Sequence, residues 1–300
     1  MSSWGLTKKQ KMMLVVLLFG AFVTILNQTV VTPALPPIMA EMSIDASLAQ
    51  WLTTGFTLVN AIMIPVTAWL IDKFPTRTLF IFSMAIFSVG SLLCGFAPAF
   101  GLLLFGRLLQ AAGAGILMPM TMTVLMRTFP VERRGSAMGL FGVVIAFAPA
   151  IGPTLAGLVI DLASWRDMFF VIVALAVIAL VVTPFVLERD VPANEDAVLD
   201  KTSVLLSTLG FGTLLYGFSA IGSYGLSPQA LISSAVGVVV LVFFFRRQLT
   251  MDQPMLEVRV LKNRAFLMGT IIGMLVQASL LAAGILIPIY LQTMLGLSLI

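Results

Sequence analysis

Arg107 and Gln110 lie inside Leu102–Met126, an apolar stretch long enough to cross a bilayer as a helix. An arginine near the middle of such a span costs about 2.5–3.5 kcal/mol on insertion scales, so a residue of this kind is a functional site by default. Spaced three apart, the two side chains share a helix face, and the small Gly113 and Ala114 follow on it. A snorkelling anchor is the alternative reading of Arg107. A second polar pair, Asn27 and Gln28, sits inside another apolar run, Met12–Val31. Charges of both signs gather in two short loops, Asp72, Lys73 and Arg77 in one and Glu132, Arg133 and Arg134 in the other. A carboxylate at a helix end can pair with such cations or cap a neighbouring helix through its dipole. Further along, Ala148, Gly152 and Ala156 repeat every four residues, a smooth stripe for close helix packing. Pro149 and Pro153 beside them each delete a backbone donor and favour a bend. The chain has no histidine and one cysteine, Cys94, so neither a metal site nor a cofactor is expected. No cluster of His, Asp or Cys lies at mid-depth, which argues against an enzyme. No GxxxxGK[ST] sequence occurs, so ATP is not the fuel within this segment.

The elements that must position these residues follow from composition. Hydrophobic residues make up 60% of the chain and charged ones only 10%, where a soluble domain carries about 25% charged residues. The solvent is lipid. Spans are expected at Met12–Val31, Trp51–Ile71, Leu79–Phe100, Leu102–Met126, Gly139–Ile160 and Met168–Leu187. Two more are expected at Val204–Ile221 and Leu231–Phe245, and a ninth begins near Ala265. The seventh and eighth form a hairpin, because the turn residues of Gly222–Pro228 break an uncharged run too long for one span. Of the 17 basic residues, 15 fall in alternate loops on one side, Arg166 alone lies on the other, and Arg107 is within a span. By the positive-inside rule the N-terminus is cytoplasmic. The net charge of +4 is thereby read as loop charge, and no nucleic-acid partner is expected. Span 1 lacks a cleavage site and is retained. An acidic-leaning linker, Glu188 to Lys201, follows the sixth span, and the sequence stops soon after a new helical unit opens, as a piece of a longer chain would.

Four segments carry a resemblance to a known family. The loop Ala68-Trp-Leu-Ile-Asp72-Lys73-Phe-Pro75-Thr-Arg77 is similar to the GxLaDrxGrr motif of the major facilitator superfamily, matching at Asp72, Lys73 and Arg77. Arg107-Leu-Leu-Gln110-Ala-Ala-Gly113 resembles its span 4 motif, with Ala111 in place of the first glycine. Gly152-Pro153-Thr-Leu-Ala156-Gly157, preceded by Pro149, resembles its antiporter signature. Leu26-Asn27-Gln28-Thr29-Val-Val-Thr-Pro33-Ala-Leu-Pro36 is similar to span 1 of the fourteen-span drug:proton antiporters of EmrB/QacA type, in the lincomycin-exporter form, and Ile287–Gln292 in span 9 is similar too. The family aspartate is Asn27 here, and an amide cannot release a proton.

The resemblance implies an all-α membrane protein of major facilitator fold. Residues 1–190 would form a six-helix bundle, 191–202 a cytoplasmic linker, 203–247 an inserted hairpin, 248–264 a cytoplasmic loop, and 265–300 the incomplete start of a second bundle. It implies a secondary exporter in the plasma membrane, acting as a monomer on lipophilic drugs with protons as coupling ion; an uptake permease is the alternative. Asp72, Lys73, Arg77, Glu132, Arg133 and Arg134 would form the cytoplasmic gate, and Pro149, Gly152, Pro153 and Gly157 the antiporter motif. At 1.5 Å per residue Asn27 lies about 22 Å above the cytoplasmic face and Arg107 about 8 Å below the outer one. In a core about 30 Å thick these are one level, and in the facilitator fold both spans line the cavity. Asn27, Gln28, Arg107 and Gln110 are therefore expected in one wet polar cluster. Glu41, Asp45, Asp72, Glu132, Asp161 and Asp167 stand in loops or at span ends, so its cation has no carboxylate partner and favours neutral or anionic cargo.

Overall fold

The computed structural model describes residues 6–187 and 199–293, the side chains of 223, 224, 280, 281 and 283–293 excepted. Residues 188–198 of the expected linker, with Glu188, Arg189, Glu195 and Asp196, lie outside the described residues, as do the side chains of Ile287–Gln292. Among the described residues the elements are helical throughout: α1 (Lys8–Met42), a single turn α2 (Ala46–Ala49), α3 (Trp51–Lys73), α4 (Thr76–Gly95), α5 (Phe100–Thr128), α6 (Arg134–Leu162), α7 (Trp165–Val186), α8 (Lys201–Tyr224), α9 (Pro228–Thr250) and α10 (Arg264–Thr293). Eight helices among the described residues are long and apolar enough to span a membrane. The protein is an all-α, multi-pass membrane protein.

Local chemistry sets the helix ends. Thr7 and Gln10 form a reciprocal capping box at the start of α1, the Gln10 N–H donating to Thr7 Oγ1 at 3.2 Å and the Thr7 N–H to Gln10 Oε1 at 3.0 Å. Asp45, Ser164 and Asp200 cap α2, α7 and α8 through their side-chain oxygens. Phe74-Pro75 separates α3 from α4, since the residue before a proline is pushed out of the helical region. Gly225, at φ 71°, ends α8, and Pro228 opens α9, so the turn between the seventh and eighth spans falls where its residues demand. Span 1 is the exception. The helix runs on through Pro33, Pro36 and Pro37 to Met42, eleven residues beyond the expected Val31. A membrane helix tolerates proline when the freed carbonyls find other donors.

By contact the chain divides into two units, Met1–Phe244 and Phe245–Ile300. In the first, α4 and α5 pair most extensively, followed by α3 with α5, α1 with α6, and α4 with α7. Helix α1 is the most enclosed, with 72% of its apolar window buried, against 17% for α6. Phe56, Phe80, Phe87, Phe169, Leu17 and Ile38 anchor the core. Outside it, large apolar side chains such as Phe185 (85% exposed) and Phe96 (70%) face outward, an apolar surface ill suited to water. Helix α8 packs on α3, where Trp51 stacks on Tyr216 with ring centroids 6.1 Å apart. In the second unit Arg259 donates to the carbonyls of Leu249 and Met251 at 3.2 and 2.6 Å, closing the end of α9. Asn263 Oδ1 caps α10 by accepting from the N–H groups of Ala265 and Phe266.

Candidate functional site: a buried guanidinium and its amide relay

Glycine brings the site's two main helices together. A Cβ on Gly90 of α4 would stand 2.7 Å from the Gln110 backbone N, and one on Gly113 of α5 2.6 Å from the Ser83 carbonyl. With nothing but hydrogen at these positions, α4 and α5 meet backbone to backbone. Gln110 is thereby laid against Ser91, whose Oγ accepts from Gln110 Nε2 at 2.7 Å.

Arg107 is fully buried, with no exposed surface. Its Nε donates to the Leu52 carbonyl of α3 at 3.2 Å, its Nη1 donates to Gln110 Oε1 at 2.7 Å, and its Cζ sits 4.4 Å from the centre of the Phe56 ring. Gln110 Nε2 also donates to Asn27 Oδ1 of α1 at 3.3 Å. Four helices, α1, α3, α4 and α5, converge on this relay. Its polarity is fixed from the charge outward. An arginine only donates, so Gln110 must turn its oxygen to Arg107 and its nitrogen away, and Asn27 must answer with oxygen. Asn27 Nδ2 and Arg107 Nη2 are left buried with no partner. No carboxylate pairs with Arg107 among the described residues.

The expected wet quartet needs correcting in two respects. Gln28 is exposed and stands outside the relay, because one residue along a helix is a rotation of about 100°. The remaining three are buried, since Asn27, Arg107 and Gln110 all have no exposed surface. Ser91, Phe56 and the Leu52 carbonyl belong to the site and were not expected from the sequence. Serine in an apolar helix ordinarily bonds its own backbone, as Ser91 Oγ also does to Phe87 O at 2.8 Å, so it carries no sequence signal.

The gate residues are dispersed. Asp72 Oδ1 lies 3.7 Å from Arg127 Nη2 at the end of α5, rather than against the Glu132–Arg134 loop, because α3 and α5 pack side by side and end together. Lys73 is half-buried, and Glu132, Arg133 and Arg134 are exposed at the start of α6. Arg77 lines a 210 Å³ pocket with Lys9, Met12 and the end of α7. In α6, Ala148, Gly152 and Ala156 are buried, and a Cβ on Gly152 would strike Thr29 of α1. Pro149 and Pro153 are exposed on another face, and Gly157 is half-buried with open space beside it.

A second polar cluster joins the opposite ends of the helices. Trp165 Nε1 donates to Glu41 Oε2 at 2.6 Å, Arg166 pairs with Glu41 Oε1, and Arg166 Nη2 donates to the Ala97 carbonyl at 2.9 Å. The guanidinium carbon lies 4.2 Å from the centre of the Trp165 ring. This clamp fastens the end of α1 to the α4–α5 loop and the start of α7.

The model of the Major Facilitator Superfamily matches residues 17–300. The chain belongs to the major facilitator superfamily. It is 50% identical to an uncharacterized MFS-type transporter of Bacillus subtilis, YcnB, over 92% of its own length and 59% of that protein's. It is 38% identical to the lincomycin resistance protein LmrB of the same organism, covering 92% and 58% of the two chains. The multidrug export protein EmrB of Haemophilus influenzae is 30% identical, over 91% and 54%. The chain thus spans 54–59% of the length of these relatives. A bacterial homolog of the human lysosomal transporter Spinster, solved in an inward-facing unoccupied conformation, shares its fold with a TM-score of 0.55 at 16% identity, over 80% of this chain and 61% of that one. The superfamily's members matched here are transporters, not enzymes.

Proposed function

We propose that the chain forms part of a plasma-membrane exporter of lipophilic small molecules, working by alternating access and driven by protons, as a monomer with its N-terminus in the cytoplasm. The observation that carries this is the fully buried Arg107, held by Gln110, the Leu52 carbonyl and Phe56 where four helices meet. A charge kept inside a membrane bundle at this cost marks a transport pathway. Export rather than uptake is supported by the Gly152–Gly157 segment and by the names of LmrB and EmrB. Orientation is supported by the 15 of 17 basic residues on one side.

The relay holds amides, a hydroxyl and a guanidinium, so the coupling proton travels on another group. Asp72 and Asp161, both exposed at helix ends, are candidates within this chain. One proton crossing about 150 mV supplies roughly 3.5 kcal/mol, enough for a gradient of a few hundredfold.

Everted vesicles carrying the chain test the reading. Energised vesicles are expected to accumulate neutral and anionic fluorescent lipophiles, and a protonophore to abolish the accumulation. Accumulation only in right-side-out vesicles would make the protein an uptake permease. Arg107→Ala variants that keep both transport and its pH coupling would remove the relay from the pathway.

A further inference from the structure

We propose that the Arg107–Gln110–Asn27 relay is a seat for the anionic head of a lipophilic acid, a carboxylate or a group of like geometry, which docks against Arg107 Nη2 and Asn27 Nδ2. The proposal rests on the carrier reading above and narrows its cargo. Two buried donors without partners point to it, Nη2 on Arg107 and Nδ2 on Asn27. The hydrogen-bond inventory around them does not close. Leu52 O and Gln110 Oε1 accept from Arg107, and Ser91 Oγ and Asn27 Oδ1 from Gln110, yet none of these oxygens is placed to accept from either free donor. No amide flip repairs this, because turning Gln110 would set its nitrogen against the guanidinium and turning Asn27 would set two nitrogens together. What is missing is an acceptor placed for these two donors, and the net charge is one positive.

A planar, two-oxygen anion meets both demands, supplying acceptors to spare and the missing charge. A cationic amine meets neither, and an ester supplies acceptors without charge. The amide at position 27 is what leaves the seat open. A carboxylate there would itself answer the guanidinium through the relay. Burial of these donors also has a role in the cycle. Donors buried without partners raise the energy of the closed empty state relative to the closed loaded one, so the seat favours crossing with cargo over crossing without it.

The test uses the 300-residue chain in lipid nanodiscs and three dansyl-tagged probes of one long-chain skeleton, the carboxylic acid, its methyl ester and the corresponding amine. The acid is expected to bind about tenfold or more tighter than the ester, and the amine weakest. Arg107→Gln and Asn27→Asp should each bring the acid down to the level of the ester, while Arg107→Lys retains part of the advantage; subtraction of protein-free discs removes bilayer partition. Equal binding of acid and ester by the unaltered chain overturns the proposal without any variant having to fold. So does an acid advantage that survives Arg107→Gln. If exchanging gluconate for chloride in the buffer erases the advantage, a small inorganic anion is the occupant, and the lipophilic acid is ruled out. A chain that binds ester and amine saturably but refuses the acid loses the seat and remains a small-molecule carrier. A chain that binds none of the three also loses the seat, and the vesicle experiment answers for the carrier reading separately.

Discussion

At Arg107 one side chain makes three different contacts, and each predicts a separable loss. Arg107→Lys keeps the charge but cannot bond the Leu52 carbonyl and Gln110 while lying flat over Phe56. It leaves a buried acceptor unmet and is expected to cost about 1–3 kcal/mol in thermal unfolding. Ser91→Ala removes the shorter of the two bonds from Gln110 Nε2 and should cost about 1 kcal/mol, leaving probe selectivity unchanged because no charge is altered. A Ser91→Ala chain that lost its preference among probes would contradict the outward ordering of the relay. Arg107, Gln110 and Asn27 were legible because each is a polar intrusion into a run that lipid dictates should be apolar. Gln28 was misjudged for the same reason: polarity in a span does not say which way the side chain turns. Phe56 and the Leu52 carbonyl were illegible. A phenylalanine belongs in such a helix on any reading, and a carbonyl leaves no letter in the sequence.

Helix pairs are held at two kinds of junction. The α4–α5 seam depends on glycine, and Gly113→Val would drive a branched side chain into the Ser83 carbonyl and Phe87. The expected outcome is a loss of about 1–3 kcal/mol or more, with Gln110 displaced from Ser91, read together by unfolding and probe binding. Gly139 on α6 faces open space, so Gly139→Ala is the control expected to change little. The clamp at the other end works by charge. Its partners Glu41 and Arg166 are 48% and 27% exposed in their side chains, so Glu41→Gln should cost only about 1 kcal/mol, and less at high salt. The small-residue seams were readable as spacing. The clamp was not, because Glu41, Ala97 and Trp165 are more than fifty residues apart in turn and nothing local pairs them.

Taken as a molecule in a membrane, the chain is expected to be asymmetric in charge from face to face, and labelling tests this. Cys94 is the single cysteine and is buried, so it leaves a silent background for an impermeant maleimide. Cysteines introduced at Lys73 and Arg133 should label in everted vesicles, and one at the exposed Gly101 in right-side-out vesicles. The reverse pattern would overturn the orientation. Eight of the nine expected spans were legible from length and hydropathy alone, whereas the reach of α1 was not, because prolines that end a helix in water need not end one in lipid. That reach has a consequence for the bilayer. At 35 residues α1 is about 52 Å long, against roughly 30 Å of hydrocarbon. With Lys8, Lys9 and Lys11 anchored in one headgroup layer, the stretch from Pro33 to Met42 would stand in the opposite interface, and the carbonyls its prolines release, those of Thr29, Thr32 and Pro33, would lie at its inner edge within reach of water. Lengthening the acyl tails would draw that stretch into hydrocarbon and strip those carbonyls of water. Activity in reconstituted vesicles is therefore expected to pass through an optimum of membrane thickness.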